Sequence, residues 1–141
     1  MTKQLLLFIT VWGLLVGVSC NSGSSQDEAD SDLDAARNFL EASLKGRYDR
    51  AADFMLRDSI NNQQLDAVSR IQLSSEERQG LWDASIHIHN RQLLNDSTSI
   101  IVYSNSFHKD NRDTLKVVRK DGKWLVDFKY LFESKEGAFE N

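Results

Sequence analysis

The sequence predicts an α+β domain in which amino-terminal helices pack on a curved, four-stranded antiparallel meander. Three observations carry this prediction. Apolar residues recur at helical spacing over about 31–80, and the period changes to two from about residue 81. Near the carboxyl terminus, Asp121-Gly122 separates two β-type runs. Asp-Gly favours a two-residue hairpin turn, because both central residues of that turn need a positive φ.

The amino terminus, residues 1–19, is predicted to be a lipoprotein signal peptide. Lys3 precedes an apolar run of 14 residues that ends at Val18, shorter than the roughly 20 residues that span a bilayer. Cys20, the only cysteine, follows at once, where it resembles the acylated cysteine of a bacterial lipoprotein. Two alternatives are a retained membrane helix and an ordinary secretory signal with an incidental cysteine.

Residues 20–30 are small, polar and acidic, and they are predicted to form a flexible tether. The whole chain has 17 basic and 21 acidic residues, so its net charge is −4. A negative net charge gives no electrostatic attraction to nucleic acid or anionic lipid. Attachment to the membrane is therefore expected through acyl chains on Cys20. The expected location is the bacterial cell envelope, at the outer membrane because position 21 is not Asp. Both the periplasmic and the surface side of that membrane are left open.

The first helix should begin at Ser31, which can act as a cap, and end at Gly46. Further helices are predicted over about 49–56 and 60–72. Ser74 and Glu77 have capping-box spacing for one short turn, which Gly80 should stop. The apolar stripe of the first helix comprises Leu33, Ala36, Leu40 and Leu44.

The first strand is expected from Leu81 onward, and an Asn95-Asp96 turn would place Ile88 opposite Tyr103 on the second strand. A loop over 108–112 would then place Tyr103 opposite Val117.

The Asp-Gly turn places Val117 opposite Val126 and Val118 opposite Leu125 in the last hairpin. The domain is expected to cover 31–133, with a tail over 134–141.

The segments AARNFLEASLKGRYDRAADFM and VVRKDGKWLVDF resemble the two ends of an uncharacterised family of small bacterial lipoproteins with the nuclear transport factor 2-like cone fold. The resemblance covers about 32–132. The family usually has an Asp that caps the second helix where this chain has Arg47, so that cap is expected to be lost or moved. The fold hosts enzymes, transport adaptors and binding modules, so the resemblance implies no activity.

The resemblance implies a cavity between sheet and helices, for which Tyr48, Tyr103, Trp124 and Phe128 are the candidate lining residues. Enzymes of this superfold often place an Asp or His with a Tyr there. In the predicted register Tyr103 has no charged neighbour, which favours a core aromatic, and no catalytic residue is predicted. His87 and His89 alternate on one strand face but lack a third ligand, so neither a metal site nor a cofactor is expected.

The outer sheet face is predicted to carry an apolar row that needs a cover. A homodimer through the sheet or a protein partner would provide it. The residues assigned to this row are His89, Val102, Val118 and Leu125, with Ile100 nearby.

Together these observations favour a lipid-anchored, non-catalytic envelope protein that binds an unidentified small ligand in its cavity or a partner on its sheet. The alternative is an anchored cavity enzyme of the isomerase or dehydratase type. A buried, strongly shifted carboxylate in the cavity would favour the enzyme, whereas a cavity filled by Phe39, Trp124 and Phe128 would favour the binding module.

Overall fold

A computed structural model of the protein describes residues 29–136 and confirms an α+β architecture with a four-stranded antiparallel sheet in the order β1-β2-β3-β4. The predicted signal peptide (1–19), Cys20 and residues 21–28 of the predicted tether lie outside the described residues, as do residues 137–141. The elements are α1 (Asp32–Leu44), α2 (Tyr48–Asp53), α3 (Ser59–Ser69), α4 (Ser75–Trp82), β1 (Ile86–Asn95), β2 (Thr98–Asn105), β3 (Asp113–Lys120), β4 (Lys123–Asp127) and α5 (Tyr130–Glu136).

The helix ends follow local capping chemistry. Ser31 caps α1, since its side chain accepts a hydrogen bond from the Asp34 amide at 3.1 Å. Gly46, at φ 65°, follows the end of that helix. Arg47 precedes α2 without making a side-chain cap, as the missing Asp led us to expect.

The prediction that Gly80 stops the fourth helix is wrong, because α4 continues to Trp82. The capping box of Ser74 and Glu77 is present and starts this helix. A Cβ on Gly80 would lie 2.2 Å from Cε2 of Phe107, so the glycine makes room for that ring. As a consequence the first strand begins at Ile86 and not at Leu81.

A β-bulge lies in the pairing of β1 with β2. Ile88 is opposite Tyr103, as predicted, but the next paired residue is Asn90, opposite Val102, and His89 is the extra residue. A second shift follows Leu93, and the turn is formed by Asp96 and Ser97, one position later than expected.

The bulge turns Arg91 to the inner sheet face, where it meets the first residue of α1. Its Nε and Nη2 atoms donate to the two carboxylate oxygens of Asp32, both at 2.8 Å. The Asp32 side chain is 1% exposed and that of Arg91 40%. Burial opposes ionisation of Asp32, but the hydrogen bonds and charge of Arg91 outweigh it, and the pKa of Asp32 is lowered.

The predicted register of β2 with β3 is wrong. Tyr103 lies opposite Asp113, and Val117 lies opposite Ser99, a slip of four residues from the predicted pairing. An even slip keeps every side chain on its expected face, so the hydrophobic alternation could not detect it. The connection is longer than expected and spans 106–112. This loop begins after Asn105. The Asn105 side-chain oxygen accepts hydrogen bonds from the backbone amides of Phe107 and His108, at 3.0 and 2.8 Å.

The last hairpin has the predicted register, with Val117 opposite Val126 and Val118 opposite Leu125. Asp121 and Gly122 have φ values of 52° and 81°, as the two-residue turn requires.

The slip between β2 and β3 removes the predicted continuous apolar row on the outer face. Val118 now lies opposite Thr98, and Val102 lies opposite Thr114. Ile100 lies opposite Lys116, so Ile100 and Val102 both have polar cross-strand partners on β3.

The core lies between the inner sheet face and the helices. Helices α1 and α2 pack together, α1 packs on the sheet, and Ala29 already packs against this core before α1 begins. Its largest buried apolar side chains are Phe39, Met55, Ile101, Leu115, Val117 and Val126.

A buried polar network holds α3 to the end of β4. Asn61, which is 0% exposed, donates to Asp58 at 2.9 Å and to Asp127 at 3.1 Å. Its oxygen accepts the Lys129 amide at 2.7 Å, and the Lys129 ammonium contacts both carboxylates. Each buried polar group of this network thus has a partner, which avoids the cost of leaving it unsatisfied.

Arg91→Met tests the ion pair that joins α1 to β1. The lowered pKa of Asp32 means that its contribution to stability is present above the unfolded value of about 3.9 and is lost as the pH falls through the folded value. Removing the cation leaves a buried carboxylate, so we expect lower stability at pH 7 and an acid-unfolding midpoint at higher pH, measured by circular dichroism.

The matched control is Arg70→Met, because Arg70 pairs with Asp66 at 3.0 Å on the helix surface, where both side chains are more than half exposed. An exposed pair of this kind is worth only about 0.3–0.5 kcal/mol. Equal acid-unfolding curves for the two variants would contradict the role given to Arg91.

Candidate functional site

A cavity of about 300 Å³ lies between the inner sheet face and the helices, on the side where β2 ends and β3 begins. Its walls are mostly apolar. The described residues that line it are Phe39, Leu40, Ser43, Leu44, Tyr48, Leu65, Val68, Leu81, Tyr103, Asn105, Asp113, Phe128, Leu131 and Phe132.

The short fourth strand explains how α5 reaches this cavity. β4 pairs with β3 only from Lys116 onward, and α5 packs against β3. This brings Leu131 and Phe132 into the cavity wall. The Phe132 ring meets the Phe128 ring edge to face at 5.2 Å, and Phe128 in turn packs on Phe39 at 5.1 Å. The aromatic cluster therefore joins α5, the end of the sheet and α1.

The polar part of the wall comes mainly from β2 and β3. Tyr103 and Asp113 are cross-strand partners on the inner face, and Asn105 lies two residues further along β2. Tyr103 is 9% exposed, and burial together with the nearby Asp113 carboxylate raises the pKa of its phenol well above the ordinary value. Burial also raises the pKa of Tyr48. Both phenols are therefore neutral near pH 7 and can donate or accept a hydrogen bond.

Three of the four residues predicted to line a cavity, Tyr48, Tyr103 and Phe128, lie in this wall. Trp124 does not: it packs against the core nearer the hairpin turn, with the Arg119 guanidinium 5.9 Å from its ring centre.

Asp113 and Asn105 were not predicted as cavity residues. The predicted register placed Asp113 opposite Phe107, beyond the observed end of β2, and gave Tyr103 no charged neighbour. The presence of Asn105 at the end of β2 was the sequence signal that could have indicated the correct register. An Asn at the end of a strand can accept hydrogen bonds from the backbone amides that follow it, which starts a longer loop.

The residues proposed for an outer interface do not form the predicted cross-strand row, because Val102 lies opposite Thr114 and not opposite Val118. Ile100, Val102, Val118 and Leu125 are all half-buried. His89 is exposed and its Nε2 lies 2.8 Å from the Ser104 hydroxyl oxygen. A homodimer through this face stays a prediction, and it no longer has a continuous apolar row to support it.

Among residues 29–136, no group of three or more His, Cys, Asp or Glu side chains is arranged to hold a metal ion. Within the same residues, no helix is both long and apolar enough to cross a membrane.

Comparisons with protein-family models, with curated proteins and with solved structures gave no significant match to this chain. The cavity and the chemistry of its wall are therefore the evidence for function.

Proposed function

We propose that the protein is a lipid-anchored envelope protein with a nuclear transport factor 2-like cone fold, and that its cavity binds a small, mostly apolar molecule without catalysis. The observation that carries the proposal is the cavity of about 300 Å³, with aromatic and aliphatic walls and a few polar groups. Pockets of this composition are the usual form of small-molecule sites.

The size of the cavity limits the ligand. Small-molecule pockets usually span about 300–1,000 Å³, so this one is at the lower end of the range. It has about twice the volume of an engineered cavity of about 150 Å³ that binds benzene. A molecule with two fused aromatic rings, or an aliphatic body of similar size, is the class that fits.

The apolar wall residues supply the affinity for the ligand, and the polar wall residues orient it. Burial of apolar ligand surface contributes about 25 cal/mol per Å² before the cost of association. The neutral phenols of Tyr48 and Tyr103 can each form a hydrogen bond with a polar group of the ligand. An all-apolar hydrocarbon would leave these groups without a ligand partner, so a molecule with one polar end is favoured.

Val68→Trp tests the cavity as the binding site. Val68 lies in the cavity wall on α3, and a larger side chain there occupies the space that a ligand would use. We expect the affinity for 1-naphthylmethanol, measured by calorimetry with the purified protein, to fall at least about tenfold.

The neighbouring exposed residue on the same helix provides the control. Ala67→Trp adds the same side chain on the solvent side of α3 and should leave the affinity unchanged. Equal losses in both variants, or no loss in Val68→Trp, would remove the cavity from consideration.

Cys20→Ser tests the lipid anchor. If acyl chains on Cys20 hold the protein at the membrane, the variant should move to the soluble fraction on cell fractionation, with the circular dichroism spectrum of the unmodified chain. The acidic net charge of −4 gives no other membrane attraction. Full membrane retention of the serine variant would reject acylation as the means of attachment.

A second candidate function is a cavity enzyme of the isomerase or dehydratase type, favoured by one observation. Tyr103 and Asp113 face each other on adjacent strands at the cavity, a pairing of a neutral donor with a carboxylate. Asp113 would act as general base and the Tyr103 phenol would stabilise an enolate oxygen.

Deuterium exchange tests this alternative. The methyl group of 2-acetylnaphthalene exchanges its hydrogens through an enolate, and the exchange is followed by proton NMR. Catalysed exchange that Asp113→Asn abolishes, while ketone binding persists, would favour the enzyme. If the ketone binds but exchanges its methyl hydrogens no faster than in buffer without protein, the binding module would be favoured.

A further inference from the structure

We infer that the domain rests on its membrane with the β1–β2 turn against the bilayer, where Leu93 and Leu94 enter the headgroup region, and that the cavity lies on the side away from the lipid. The inference rests on the lipid anchor of the proposed function and adds a second membrane contact and an orientation. It is carried by two exposed leucines, by the point where the predicted tether joins the domain and by the length of that tether.

Leu93 and Leu94 lie at the end of β1, next to the turn of Asp96 and Ser97. Their exposed fractions are 55% and 53%. The pairing shift after Leu93 leaves Leu94 without a partner on β2, as in a bulge that redirects a side chain. Among residues 29–136, no other two consecutive large apolar side chains are exposed to this extent. Single exposed apolar residues need no explanation, but an adjacent pair offers an apolar surface for a contact.

The predicted tether joins the domain beside these leucines. Helix α1 begins at Asp32, whose carboxylate oxygens accept hydrogen bonds from Arg91 at 2.8 Å. Arg91 and Leu93 are two residues apart in a regular stretch of the β1 pairing, so they share the inner sheet face. Leu93 therefore lies next to the entry into α1, on the side of the β1–β2 turn.

The length of the tether limits which side of the domain can contact the membrane. Cys20 and Ala29 are nine residues apart, and Ala29 already packs against the core. Nine residues span at most about 30 Å in any conformation. A domain of about 100 residues has a radius of gyration of about 13 Å, which corresponds to a sphere about 34 Å across. Because the tether is shorter than this diameter, the side of the domain opposite Ala29 cannot contact the bilayer.

The cavity lies at the other end of the elements that start near the tether. Leu40 and Leu44, in the last turns of α1, belong to its wall. So do Tyr103 and Asn105, at the end of β2, whose eight residues extend about 27 Å from the β1–β2 turn. With the leucines at the bilayer, a ligand would reach the cavity from the aqueous side.

The polar surroundings of the leucines fit zwitterionic headgroups. The β3–β4 turn lies at the same end of the sheet, since Thr98 is opposite Val118. The exposed charged residues at this end include both signs, namely Arg119, Lys120, Lys123, Asp96 and Asp121. Phosphatidylcholine and phosphatidylethanolamine carry a phosphate and an ammonium, so they can meet side chains of either sign.

The leucine contact orients the domain but does not replace the anchor. Two leucines bury less apolar surface than one acyl chain, and a single acyl chain already gives only marginal membrane binding. The release expected for Cys20→Ser is therefore compatible with this contact.

Quenching of a fluorescent label by headgroup spin-labelled lipid tests the contact on the lipidated full chain. Cys20 is the only cysteine, and its acylation removes its free thiol, so an introduced cysteine is the one site for the label. In phosphatidylcholine vesicles, we expect several-fold stronger quenching at Ser97→Cys, in the β1–β2 turn, than at Asn111→Cys. Asn111 is the matched control because it is exposed in the loop 106–112, at the cavity end.

A second pair of variants tests the leucines themselves. Leu93→Ser combined with Leu94→Ser should reduce the quenching at residue 97 toward that at residue 111, because the tether alone leaves the domain free to turn. Ile71→Ser is the control, since Ile71 is 60% exposed and follows α3, and it should leave the quenching unchanged. All three side chains are exposed, so the circular dichroism spectra should match that of the unmodified chain.

The outcomes separate this inference from the proposed anchor. Equal quenching at the two labels, or quenching at residue 97 that survives the loss of both leucines, would overturn the orientation while the protein stays on the vesicles. Energy transfer between labels on two chains, without quenching by lipid, would show that a second copy covers the leucines and would also overturn it. Labelling of the chain that carries no introduced cysteine would show a free Cys20 thiol and would overturn both the anchor and the orientation.

Discussion

The pairing of β2 with β3 determines the chemistry of this domain. It places the hydroxyl of one strand and the carboxylate of the next, Tyr103 and Asp113, at the same end of the inner face. The pairing is held by buried apolar neighbours, since Ile101 lies opposite Leu115 and both are fully buried. A slip by one residue would turn one of these two side chains to the outer face, and a slip by two would separate Tyr103 from Asp113. The polar part of the cavity wall therefore depends on a register that the hydrophobic core stabilises.

Two polar connections hold the helices at a fixed place over this sheet. Arg91 joins β1 to the first residue of α1 through Asp32, and the bulge at His89 is what brings Arg91 to the inner face. At the other edge, Asn61 joins α3 to the end of β4. Because each connection involves a buried carboxylate or amide, each is costly to break. The cavity lies between these two fixed edges.

The sequence predicted the parts of the fold that local chemistry determines. The Asp121-Gly122 turn set the last hairpin because few residues adopt positive φ, and Ser31 and the Ser74 capping box marked two helix starts correctly. It failed where distant residues decide. Gly80 lies inside α4, where the absence of a Cβ leaves room for the distant Phe107 ring.

The residues of the candidate site also divide into those that the sequence predicted and those that depend on distant contacts. The family resemblance placed Tyr48, Tyr103 and Phe128 near a cavity, and strand alternation gave the face of Tyr103. Asp113 could not be placed there, because an even slip preserves alternation and only the length of the loop 106–112 distinguishes the registers. Leu131 and Phe132 were also missed, since α5 is too short to have a helical period that sequence reading can detect.

The most direct test of a ligand-binding cavity between sheet and helices is methyl NMR of the purified protein with 1-naphthylmethanol. We expect contacts from the naphthalene ring to methyl groups in the wall, at Leu65, Val68 and Leu131. Contacts confined to Val102 and Val118, which lie on the outer sheet face, would contradict it.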